Sequence, residues 1–150
     1  MPHYFLAIHN EPFHDTPMQQ EKLESSFVLL GQMVEQASKY HIKLILIFTA
    51  QWAEFIASDP EKMVELASWQ QNGHEIAANH RSIYHGGWDG YTNYTEEIAI
   101  NERLQYKNKP EVYLGTLTDY MDILKKINPE SHSSCINNEI DKHTLTYEII

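Results

Sequence analysis

The run Leu44-Ile45-Leu46-Ile47-Phe48 is almost unbroken in apolar character and lies between two helical patterns. A strand that shows one face to water alternates apolar with polar residues, whereas one covered on both faces need not. The run therefore predicts a covered strand over Lys43 to Thr49. Upstream, Leu23, Phe27, Leu30, Val34 and Ala37 recur at helical spacing among Glu and Gln residues, which predicts an amphipathic helix ending near Lys39 or Tyr40. Downstream, Ser58-Asp59-Pro60-Glu61 offers a capping side chain and a proline in the first turn, where its missing N–H does no harm. Met63, Leu66 and Ala67 begin the buried face of that second helix, and Asn72-Gly73 supplies its stop.

Two further short runs complete the pattern. Tyr4-Phe5-Leu6-Ala7-Ile8 reads as a first buried strand, and Glu75 to Ala78 as a third. The order βαβαβ implies parallel strands joined by helical crossovers, so the fold class is α/β. Beyond it, Thr92 to Glu97 opens a helix running to about Tyr106, Val112 to Leu117 reads as a strand, and Tyr120 to Ile127 as a helix stopped by Asn128-Pro129. Leu145 to Ile150 reads as a last strand. Its apolar finish fits a fragment, a trimmed domain or a strand completed by a partner, so a homo-oligomer is one expectation.

With 150 residues, 42% of them apolar, the chain can bury one sizeable core, and one domain over 1–150 is expected. A formal net charge of -10 argues against a nucleic-acid backbone or an anionic membrane as partner and suits a neutral or cationic substrate better. The single cysteine, Cys135, lies in Ser133-Ser134-Cys135-Ile136, a segment with no evident helical or strand pattern, and reads as an ordinary thiol. The start Met-Pro-His-Tyr lacks the basic region of a signal peptide, and no run approaches the roughly 20 apolar residues of a membrane span. The cytoplasm is the expected compartment.

Ligands of parallel α/β folds collect at the carboxyl ends of strands, and three polar segments follow such ends: His9 to Glu11, Thr49 to Trp52 and Asn79 to His85. Two histidines and a carboxylate suit a divalent ion that keeps positions open for water and substrate, and zinc would activate that water. His80, His85 and Glu11 are the expected metal ligands. The two histidines are five residues apart, so they converge only if Arg81 to Tyr84 forms a loop, with Gly86-Gly87 easing the backbone. His9 and Glu11 are the candidates for acid–base work; residues two apart on a strand share a face, so the two are hard to separate. His74 precedes the apolar stretch and is read as structural. Trp52, Trp88 and Tyr91 add aromatic surface for a substrate, although packing is the more common use of such rings and the larger expectation for Trp52.

The segment Gly73-His74-Glu75-Ile76-Ala77-Ala78-Asn79-His80, followed by Ser82 and then His85, resembles the polysaccharide deacetylase family, carbohydrate esterases that share the rhizobial chitooligosaccharide deacetylase (NodB-like) domain. The likeness covers about residues 4 to 106 and is specific only around His80. It implies a distorted (β/α) barrel in which an aspartate and two histidines hold zinc or another divalent ion, a second aspartate is the base and a later histidine the acid. Carried across, His80 is similar to the first metal histidine and His85 to the second, with one extra residue between them. The strand-end pair of aspartates falls on Asn10-Glu11, where Glu11 replaces the metal aspartate and Asn10 has no carboxylate to accept a proton. No Arg-Pro-Pro-like or Leu-x-His segment is evident, which leaves His132 and His143 as weakly placed acids, and the chain is shorter than a complete domain, as if truncated at its C-terminal side. The resemblance implies a metal-dependent hydrolase that removes an N-acetyl group from a carbohydrate. The alternative is an inactive relative that binds a carbohydrate or a protein.

Overall fold

A computed structural model describes residues 6–11, 19–107, 112–129 and 134–137. The elements run β1 (Leu6–Asn10), α1 (Gln19–Lys39), β2 (Leu44–Phe48), α2 (Ala50–Ala57), α3 (Pro60–Gln71), β3 (Glu75–Arg81), α4 (Glu96–Lys107), α5 (Leu117–Lys125) and β4 (Ser134–Asn137). The four strands form one parallel sheet in the order β1-β2-β3-β4, so the chain is of the α/β class. The strands never reverse order, and right-handed crossovers that always step the same way lay their helices on one face.

The register shows which face that is. Ile8, Leu46 and Ile76 lie level across the sheet, as do Asn10, Phe48 and Ala78. Leu44, Leu46, Phe48, Ile76 and Ala78 join Leu23, Phe27, Leu30 and Val34 of α1, Trp52 and Phe55 of α2, Leu66 and Trp69 of α3 and Tyr120 and Leu124 of α5 in one core. The five residues of the helical repeat, Leu23 to Ala37, are the buried residues of α1, each full burial contributing about 1.5–3 kcal/mol for the larger side chains. Asp59 caps α3 by accepting from the Glu61 N–H at 2.9 Å. Its carboxylate also meets Lys62, which reaches Glu24 of α1 at 3.1 Å and so ties the two helices together.

Four expectations change. Helix α2 occupies the segment read as a polar strand end: Ala50, Trp52, Ala53, Phe55 and Ile56 are buried, and a helix apolar on most sides belongs in a core. Strand β3 continues past Ala78 to Arg81 because β4 extends the pairing, with His80 level with Ile136. Val112 to Leu117 is not a strand: only Gly115 bridges to Tyr91, and the Thr116–Asp119 capping box starts α5 at Leu117. Strand β4 takes in most of Ser133 to Ile136, the segment read as patternless. Leu145 to Ile150, His132 and His143 lie outside the described residues. Among those described, no helix is long and apolar enough to cross a membrane.

His74 is structural, as expected. Its Nδ1 accepts from the Leu44 N–H at 3.1 Å, and its Nε2 meets the Ser38 hydroxyl at 3.0 Å, so one ring joins β2, α1 and the start of β3. Burial holds this imidazole below its ordinary 6.5, and the charge of Lys43 adds to the effect. A group with a depressed folded value binds its proton more readily when unfolded, so stability rises with pH through that interval. The contribution is complete above the ordinary value and is lost as pH falls toward the folded one. Urea midpoints should therefore be level above the ordinary imidazole value and drop as pH falls below about 6.5, and His74→Gln should flatten that drop. An unchanged slope in the variant would contradict this account.

Candidate functional site

The carboxyl ends of β1 and β3 create a polar cluster by strand parity. Asn10, Phe48 and Ala78 are level and share the helical face, so Asn79 and Arg81 point to the other face while His80 points back. Glu11, one residue past β1, meets them there. Asn79 Nδ2 donates to Glu11 Oε1 at 3.1 Å, and Arg81 Nη2 donates to the same oxygen. His9 Nδ1 lies 4.0 Å from that oxygen, with the side chains of His9 and Glu11 43% and 35% exposed. The charges of Glu11 and Arg81 thus cancel at an accessible mouth.

His85 joins from the loop after β3. Arg81 Nη1 lies 2.6 Å from its Nε2 and 3.0 Å from its Nδ1, while the Gly87 N–H is 3.0 Å from Nδ1. A neutral imidazole offers one lone pair, so the guanidinium and the Gly87 amide compete for it. The loop itself is anchored from behind by Arg103 of α4. This wholly buried arginine donates from Nη1 to the carbonyls of Ile83 and His85 at 2.5 and 2.7 Å and lies over the Trp88 ring. Ile83, Trp88 and Ala99 form a small core beneath the loop.

His80 belongs to a different environment. It is fully buried, its Nδ1 is 2.9 Å from Asp89 Oδ2, and its ring meets Tyr120 edge-on at 5.4 Å. An ionised carboxylate only accepts, so Nδ1 carries the proton. Asp89, also fully buried, accepts from the Arg81 N–H at 2.8 Å and, through Oδ1, from the Tyr91 N–H at 3.1 Å. Gln51 adds a bond to its carbonyl at 2.7 Å. The Asp89 carboxylate therefore pins both the end of β3 and the return of the loop.

This geometry separates the sequence-derived residues. Glu11 and His85 meet Arg81, and His9 stands beside Glu11; His80 does not join them, because one step along a strand reverses the side chain. The expected zinc set of Glu11, His80 and His85 is not formed, and among the described residues no group of three His, Cys, Asp or Glu side chains is placed to hold a metal ion. The residues present do not fit that ion, since the guanidinium of Arg81 takes the centre of the cluster. Asn10, at the base position of the resemblance, donates to the carbonyls of Ile8 and Ile47 at 3.3 and 3.1 Å and is bound into the sheet. The expected aromatic surface is also absent from the mouth: Trp52, Trp88 and Tyr91 are 2%, 2% and 4% exposed. Trp52 instead donates to the Glu11 carbonyl at 2.9 Å, and Trp88 to the Tyr91 carbonyl at 2.8 Å, so both serve the site by holding backbone.

Asn79, Arg81, Asp89 and Arg103 were not singled out by the sequence. The signal for the first two was the i, i+2 relation on a strand, hidden when β3 was ended at Ala78. Asp89-Gly90 carried a turn signal, because an aspartate side chain readily accepts from the N–H two residues on. Comparison with family models, curated proteins and solved structures finds no match to this chain.

Burial sets the expected costs. Asp89→Ala leaves the His80 and backbone donors unpaired in the interior and should lower stability by about 3 kcal/mol. Glu11→Ala removes a partly exposed partner of an ion pair and should cost less, about 1 kcal/mol. Urea denaturation of both variants checks the ranking; equal losses would mean that Asp89 is not the structural carboxylate.

Proposed function

We propose that the strand-end cluster binds a carbohydrate, in a divergent domain of the polysaccharide deacetylase type that does not hydrolyse what it holds. The observation that carries this reading is the Glu11–Arg81 pair, accessible at the carboxyl ends of β1 and β3 on the sheet face opposite the helices. A carboxylate that accepts beside a guanidinium that donates is a pair of planar groups suited to adjacent sugar hydroxyls. His9 and His85 extend the set on either side. Asn10 supplies no carboxylate base and its amide is already engaged, which favours binding over turnover. The acidic balance of the chain favours a neutral glycan over an anionic one.

Strands in sequential order, with the core helices on one face, also support the barrel-type architecture of the resemblance, of which this sheet is an arc. A cytoplasmic setting belongs to the same reading. The rival reading, zinc-dependent removal of an N-acetyl group, requires Arg81 to leave the cluster and another group to act as base.

One experiment divides the two. Calorimetric titration of the full chain with an N-acetylated chitooligosaccharide should give saturable binding that Glu11→Ala weakens at least about tenfold, with no acetate released in the presence or absence of zinc. Zinc-dependent acetate release would establish the hydrolase instead. Absence of binding to acetylated and deacetylated oligosaccharides alike would overturn the carbohydrate reading.

A further inference from the structure

We propose that Arg81 is a built-in cation: its guanidinium occupies the position from which Glu11 and His85 would otherwise hold a divalent metal ion, and its presence keeps this chain from binding one. The inference rests on the strand-end cluster being a site, not on the identity of its ligand. Three observations point to it. Glu11 directs one carboxylate oxygen at Nη2, and the His85 ring nitrogens lie at Nη1, so the carboxylate and the imidazole converge on one positive group from different strands. Asn79 lies against the same carboxylate oxygen. The arrangement is also anchored, since the Arg81 N–H is held by the buried Asp89 and the His85 carbonyl by Arg103.

Carboxylate and imidazole are ligands a borderline divalent ion such as zinc accepts. The guanidinium differs from that ion in two ways that matter. It is covalently attached, so neither dilution nor chelation removes it, and it offers a fixed planar fork of N–H donors rather than open coordination positions. A second cation on Glu11 would face it directly, well within the distance over which salt screens two charges. Arg81 is therefore the specificity-determining residue of the cluster, favouring polar neutral ligands over metal.

The test needs no sugar. Zinc chloride titrated into the full-length chain should give no saturable site, and dialysis against EDTA should leave the thermal midpoint unchanged. Arg81→Ala should bind one zinc ion at least about tenfold more tightly than the parent, and adding Glu11→Gln or His85→Ala should abolish the gain. Arg81→Met, which keeps the apolar stem and removes the charge, gives the same test if the alanine variant does not fold. A parent chain that already binds zinc through Glu11 and His85 would overturn the proposal, as would uncharged variants that gain no zinc affinity. Either result is independent of whether the parent binds an oligosaccharide.

Discussion

The carboxylate of Asp89 is the fixed point of the site. It is fully buried, and it holds the proton-bearing nitrogen of His80, the backbone N–H of Arg81 and the backbone N–H of Tyr91. A buried charge is tolerated when its lone pairs are used, and here they draw together residues eight or nine apart in the chain. The Asp89 N–H returns a bond to the Arg81 carbonyl at 3.2 Å, so the loop closes on the strand from both directions. With that closure in place His80 cannot turn toward the mouth, and Arg81 cannot turn away from it without breaking the strand.

Strand parity then divides the labour. On the helical face, His80 packs on Tyr120 and contributes to the core that α5 completes. On the other face, Asn79 and Arg81 project together toward Glu11. The same two-residue period accounts for His9, which shares Glu11's face and stands 4.0 Å from its carboxylate. An arginine placed among a carboxylate and an imidazole pairs with both of them.

Much of the fold was legible. Leu23 to Ala37 marked the buried stripe of α1, Leu44 to Phe48 marked β2, and Asp59-Pro60 marked the start of α3, because periodicity and capping are local signals. Helix α2 and strand β4 were not. The first, at eight residues, is too short for a period to be read against its apolar neighbours, and the second has pairing with β3 as its visible reason to be extended. At the site, Glu11 and His85 were found as members of one cluster, but the histidine pair was read as a unit. Whether His80 faces the mouth depends on where β3 ends, and strand ends are set by tertiary pairing rather than by local sequence.

The central claim is that His80 belongs to the core with Asp89 while Arg81 and Glu11 form the mouth, and nitrogen-15 spectra of the histidine rings address it most directly. The account predicts that His80 carries its proton on Nδ1 and that its Nε2 signal is unmoved when zinc is added. A zinc-induced shift at Nε2 of His80 would contradict it, because that ring would then be a metal ligand facing the mouth.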